Sequence, residues 1–325
     1  MRKQLIGALA ALGVVAVSGV ASAADTFMTG DVMASVGAGN YQQWRKVGAI
    51  WTLIDTLMTG TGSTETTGSA FDKFGNFYGT NYTVSSTSKF LGAGTPHTHS
   101  LWATNDAGAH NESILFDAAG NVYQGQSDGT ADIIKRSAAG AFIARFNVAL
   151  EARGSDWIDL ASDQKTMFYT SEGRLIKRYD VSTDTQLADF ATLPGSGTAF
   201  GFRLLSDGGL LVADRFNIKR LNAAGTVVQT YDAAGVDLWF ALNLDPDGTT
   251  FWSANFANHV YRFNIATGAL VDDFATTGSQ VSGLSVFGEI TQATAAPLPP
   301  SAWMGLTMLA GVALVGYRRR RLALN

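Results

Sequence analysis

The side chains of this 325-residue chain best able to do chemistry are its 4 histidines and 27 acidic residues, because it contains no cysteine. The missing thiol excludes cysteine nucleophiles, disulfides, thiolate zinc sites and iron–sulfur clusters. Any metal must sit on oxygen or histidine. His110, His259 and Glu112 are the candidates for acid–base work, since a group titrating near neutrality is useful only beside a substrate. Oxygen and nitrogen donors that could face a ligand are Asn81, Asn111, Asp128, Asp156, Glu172, Arg215, Asp237, Asn255 and Asn258. Glu112, Asp156 and Asp237 are the candidate metal ligands within that group, and Ca²⁺, which takes 6–8 oxygen ligands, is the ion they would suit. Polar residues also populate any solvated loop, so the sequence favours that plainer reading over a metal site.

Other patterns are weaker. His97-Thr98-His99 places two imidazoles on one side of a strand, but the repeat described below puts them on an outermost strand, where a solvated face is expected. Gly125-Gln126-Ser127-Asp128-Gly129 matches a nucleophile elbow in spelling, yet a strand rather than a helix is expected after it. Asp245-Pro246-Asp247-Gly248 lacks the later ligands of a calcium loop and reads as a tight turn with Gly248 at positive φ. Nucleotide cofactors have no docking motif.

What must position these residues is a repeat. Arg136, Arg178, Arg220 and Arg262 follow one another at intervals of 42 residues, and weaker copies extend the run backwards through Lys89 and the Trp44-Arg45-Lys46 cluster. A second ladder of strand-terminal residues runs Leu57, Trp102, Phe146, Phe190, Tyr231 and Phe274, at intervals of 45, 44, 44, 41 and 43. Short alternating strands and glycine turns at a 40–45-residue period are the pattern of an all-β propeller with four strands per blade, and both ladders count six blades. Asp31 to Leu57 supplies three strands of one blade and Val281 to Phe287 an orphan first strand, so the two ends are expected to close the ring together. The arginines, recurring once per blade beside Lys135, Lys177 and Lys219, are expected to pair with acidic neighbours inside the sheets. Two loop sets, between strands two and three and between consecutive blades, would then present the candidate residues on one face around the channel.

Blades such as Leu210 to Arg220 resemble the NHL and gluconolactonase-like propellers, a group that includes calcium-dependent lactonases, an antibiotic-opening lyase and non-enzymatic binding modules. That resemblance implies a scaffold and leaves the function to the residues.

The two ends are addresses. Residues 1–23 and 301–325 hold six of the 23 Lys+Arg and none of the 27 Asp+Glu, so 24–300 carries 17 basic against 27 acidic residues, a net −10. Such a charge is a poor match for a phosphate backbone, and no nucleic acid partner is expected. Arg2 and Lys3, the apolar run from Leu5 to Val17 and Val20-Ala21-Ser22-Ala23 form a signal peptide over 1–23, to be read by the Sec machinery and cut by signal peptidase. A propeller over 24–290 and a proline-rich linker over 291–300 follow. The uncharged stretch 302–317 would rise ~24 Å as a helix, nearly a membrane span, and the arginines after it would stay cytoplasmic. Pro297, Pro299 and Pro300, then the apolar stretch, then Arg318, Arg319, Arg320 and Arg321 resemble the PEP-CTERM sorting tail in a Pro-Leu-Pro variant over 301–325 and its proline lead-in. The resemblance implies processing by an exosortase, in bacteria that make exopolysaccharide. An exported protein, anchored by its tail and then released to the cell surface or matrix, is therefore expected, as a non-catalytic module binding an envelope glycan or protein. A metal-dependent lactonase or lyase at the channel mouth is the alternative.

Overall fold

The computed structural model describes residues 26–290, apart from Thr95 and Ala107. The signal peptide, the linker and the sorting tail with its membrane helix lie outside the described residues. No helix among the described residues is long and apolar enough to cross a membrane.

Six antiparallel sheets make up the molecule, and the only helix among the described residues is one 3-10 turn, Tyr82–Val84. Blades 1 to 5 begin on the inner strands Thr66–Phe71, Asn111–Phe116, Trp157–Leu160, Ala199–Leu204 and Trp239–Leu244. The sixth joins the inner strand Gly283–Val286 to Val32–Ser35, Asn40–Val47 and Ile50–Met58. Val32 pairs with Val286 and Ser35 with Gly283, so the two ends of the chain share one ladder as the sequence requires. Each inner strand packs on the next, ending with Trp239–Leu244 against Gly283–Val286 and that strand against Thr66–Phe71. The result is a closed six-bladed ring.

Alternation sets which residues fill the space between blades. Leu210 and Val212 point one way into one core cluster and Leu211 and Ala213 the other way into the next, which buries both faces of the sheet. At the closing blade the seams are aromatic. Trp51 stacks on Phe274 of blade 5 at 4.8 Å, and Trp44 lies 5.1 Å from the same ring. On the other side Tyr41 occupies the space above Gly79, and its hydroxyl donates to the Thr80 carbonyl at 2.7 Å.

The basic ladder is absorbed into the sheets. Arg220 pairs with Asp207 at 2.8 Å and Arg262 with Asp247 at 2.9 Å, while Lys177 reaches Asp189 at 3.3 Å. Arg136 and Arg178 take neutral acceptors instead: Arg136 donates to Gln124 and Asn105, and Arg178 donates to the Ala188 carbonyl beneath the rings of Phe168 and Phe190. Gly248 has φ +67° in the Asp245 turn, and the Gly125–Gly129 stretch leads from one strand to another.

Inner strands come so close around the axis that some positions exclude a side chain. A Cβ on Gly283 would lie 1.9 Å from the Thr67 carbonyl oxygen. Gly283→Ala is therefore expected to cost about 1–3 kcal/mol by overpacking a backbone contact. Urea unfolding checks this through a lower midpoint with an unchanged slope.

Candidate functional site

Laid over one another, the six inner strands share a station one residue before a small or bulky packing position. Thr67, Glu112, Phe200 and Phe240 occupy it as the second residue of their strands, and Asp156 and Ser282 as the residue just before theirs. Four of the inner strands are irregular there: the ladder shifts between Thr66 and Ser69, Asn111 and Ser113, Ala199 and Phe202, and Trp239 and Ala241. A bulge of this kind re-aims a side chain, here toward the channel mouth. Two consecutive blades put carboxylates at the mouth and the next two put phenyl rings there.

Glu112 and Asp156 are joined by Glu172, from the loop after Thr166–Thr170, and one oxygen of each lies within 4.8 Å of the others. Asp156 is 1% exposed and neither carboxylate oxygen has a hydrogen-bond partner, and Glu112 is 4% exposed with Oε2 equally unpartnered. Burial pushes the Glu112 carboxyl up to about 8, helped by the charge of Glu172. Asp156 is pushed well up for the same reason, with the charge of Glu112 as the next cause after burial. Buried carboxylates without donors are costly unless a cation or a proton accompanies them.

Beside the cluster stands a cationic strut. Arg153 donates to Asp128 Oδ2 at 2.7 Å and to Glu172 Oε1 at 3.2 Å, and also to the Tyr82 hydroxyl. That hydroxyl accepts from Ser127 at 3.0 Å and donates to Asp128 at 3.2 Å, and burial holds it protonated far above the ordinary tyrosine range. The Arg153 hydrogen bond holds Asp128 down at about 2. His110 stacks on Tyr82 at 4.8 Å and its Nδ1 lies 2.8 Å from Asp128.

The cavity above these groups measures about 450 Å³ and is lined by Glu65, Tyr82, Glu112, Arg153 and Glu172 on one side. Phe200, Leu238, Phe240 and Phe256 form the other side. Phe240 is central to this wall, 4.8 Å from Phe200 and 5.0 Å from Phe256. Its size is that of a small-ligand site.

The remaining candidates from the sequence are scattered. Asn81 and Asn111 are buried at strand ends, with Asn81 Oδ1 and both amide atoms of Asn111 unpartnered, and Asn255 Oδ1 is unpartnered at the end of Thr250–Asn255. Asp237 and Asn258 are exposed and stand outside the carboxylate cluster, and Arg215 is exposed over the ring of Phe216. His259 begins a third strand and pairs with Asp273 on the outer strand at 2.6 Å, away from the cavity lining. His99 lies on the outer strand as expected, bonded to Ser88, but His97 is buried, stacked on Phe27 at 4.2 Å. Segment 26–31 covers that imidazole, which the repeat alone does not reveal. Glu65, Tyr82, Arg153, Leu238 and the three phenylalanines are the cavity residues that the motif search missed. An inner-strand alignment contains the signal for Phe200 and Phe240.

Comparison with known proteins gives the fold. No protein-family profile matches the chain, and no curated protein sequence matches it. Solved structures do: a chain in the crystal structure of a nidogen/laminin complex is 15% identical, with a TM-score of 0.65 over 78% of this chain and 97% of that one. A streptogramin B lyase is 16% identical, with a TM-score of 0.55 over 78% of this chain and 86% of that one. The virginiamycin B lyase of Staphylococcus aureus is 14% identical, with a TM-score of 0.54 over 77% and 85%. These likenesses establish the fold: the chain is a six-bladed β-propeller.

Proposed function

We propose that this chain is an exported propeller acting as a binding module of the cell envelope or matrix, with a divalent cation on Glu112, Asp156 and Glu172 at the floor of its site. The observation carrying the cation is the pair of unpartnered Asp156 oxygens, 1% exposed and facing two more carboxylates. Hard oxygen donors without sulfur or imidazole suit Ca²⁺, with Mg²⁺ next. When bound, the ion would neutralise the cluster and offer open coordination positions to ligand oxygens.

Binding is favoured over turnover by the state of the neighbours. A hydrolase or lyase needs a free acid or base beside the ion. Tyr82 is held protonated, Arg153 is tied to two carboxylates, neither His110 nor His259 is among the residues lining the cavity, and the one lining carboxyl outside the metal cluster, Glu65, is engaged by Gln280. Export and sorting rest on the leader over 1–23 and the Pro297 to Arg321 tail.

The test is retention on isolated cell envelope. Retention in Ca²⁺ with release by EGTA is expected. Lactone or ester turnover abolished by EGTA would replace binding with catalysis.

A further inference from the structure

The half-acidic, half-aromatic mouth selects among ligands by charge. Four carboxylates converge there, Glu65, Glu112, Asp156 and Glu172, against one guanidinium, Arg153. Even with a divalent cation on the floor the groups sum to a net negative charge when ionised. An anionic ligand is therefore repelled, and a neutral one leaves the excess uncompensated. The opposite wall, Phe200, Phe240 and Phe256, presents ring faces and edges with no polar atom, and the three rings pack within 5.0 Å of one another in sequence. Phenyl faces attract cations as well as apolar groups.

We infer that the mouth binds an organic ammonium ligand with an apolar or aromatic body, the body on the Phe200/Phe240/Phe256 wall and the ammonium toward Glu65 at the acidic rim. This deepens the proposed function and rests on its reading of the mouth as a cation site. Glu65 is suited to the role: it is half-buried, burial raises its carboxyl above the usual range, and its Oε1 takes only a 3.3 Å bond from Gln280. A bound ammonium would supply the missing charge partner. Arg153 acts on Glu65 through its charge but makes no hydrogen bond to it, because its donors serve Asp128, Glu172 and Tyr82.

Three probes sharing a phenethyl body test it by calorimetric titration of the full protein, with Ca²⁺ and after EGTA: phenethylamine, 2-phenylethanol and 3-phenylpropanoate. The amine is expected to bind at least about tenfold more tightly than the alcohol, and the acid most weakly. Glu65→Gln should bring the amine down to the alcohol, and Phe240→Leu, which keeps apolar bulk and removes the ring, should lower amine affinity about tenfold. His259→Ala should leave it unchanged. Equal binding of amine and alcohol, stronger binding of the acid, or no binding of any probe overturns the inference. Calcium is titrated separately, so calcium binding without amine preference overturns this inference alone. Failure to bind calcium overturns the metal beneath it, and the amine preference is then decided on the metal-free protein.

Discussion

Glu112→Gln is expected to raise the stability of cation-free protein at alkaline pH while lowering divalent-cation affinity by about a hundredfold or more. Both effects have one cause. Glu112 is buried beside Asp156 and Glu172, and its carboxyl is pushed up to about 8 from an ordinary 4.5. The folded chain therefore keeps a proton that the unfolded chain releases near 4.5. Stability from this group is fully present below that value, falls as pH rises, and is lost once the pH passes about 8. At ~1.4 kcal/mol per unit, the swing across the window is on the order of 3–5 kcal/mol. Glutamine carries no charge, so the variant should lack this fall and melt several degrees above the parent at pH 9 in EGTA. Added Ca²⁺ should reverse the order, because the parent regains by mass action what the ionised cluster cost. Thermal melts from pH 5 to 9, with and without Ca²⁺, measure all of this. A variant less stable than the parent at pH 9 in EGTA would mean that Glu112 has a stabilising partner in the fold.

Arg153→Gln is expected to tighten Ca²⁺ binding by about tenfold to a hundredfold. Arg153 holds Glu172 at 3.2 Å and adds a positive charge beside the ion's place. Two unit charges a few ångströms apart interact by roughly 2–4 kcal/mol at an effective dielectric of 20, and exposure of the guanidinium discounts that. Removing it frees one Glu172 oxygen and lifts the repulsion. Asp128 should lose the partner that holds it near 2, and its pKa should return toward 3.8. Since Asp128 and Arg153 are each 37% exposed, the stability change should stay within about 1 kcal/mol. Calorimetry with Ca²⁺ reads the first effect, and carboxyl NMR titration the second. Weaker Ca²⁺ binding would show that Arg153 organises the carboxylates instead of opposing the ion.

Much of the scaffold is legible from sequence because a propeller repeats its packing problem. The arginine interval of 42 residues and the split closing blade follow from each sheet needing the same turns and the same buried faces. Glu112, Asp156 and Glu172 are legible as mouth residues by loop position, although choosing them over Asp237 requires the three-dimensional convergence of two blades. Phe200 and Phe240 are hidden for a physical reason: an aromatic residue in a strand ordinarily reads as core, and only the bulge that re-aims it separates the two roles. His259 misleads in the opposite sense. Its loop is on the mouth face, but the third strand it begins stands away from the axis and gives the imidazole an outer-strand partner in Asp273. His97 depends on a segment far away in sequence, residues 26–31, for its burial against Phe27.

The central claim is that the mouth is a built cation site. Titration of chelator-stripped protein with Ca²⁺, followed by calorimetry and by direct metal analysis, tests it most directly. One ion per chain, lost in Asp156→Asn while the variant keeps its β-sheet circular dichroism, is the expected result. Absence of binding by folded parent protein, or undiminished binding by Asp156→Asn, would contradict it.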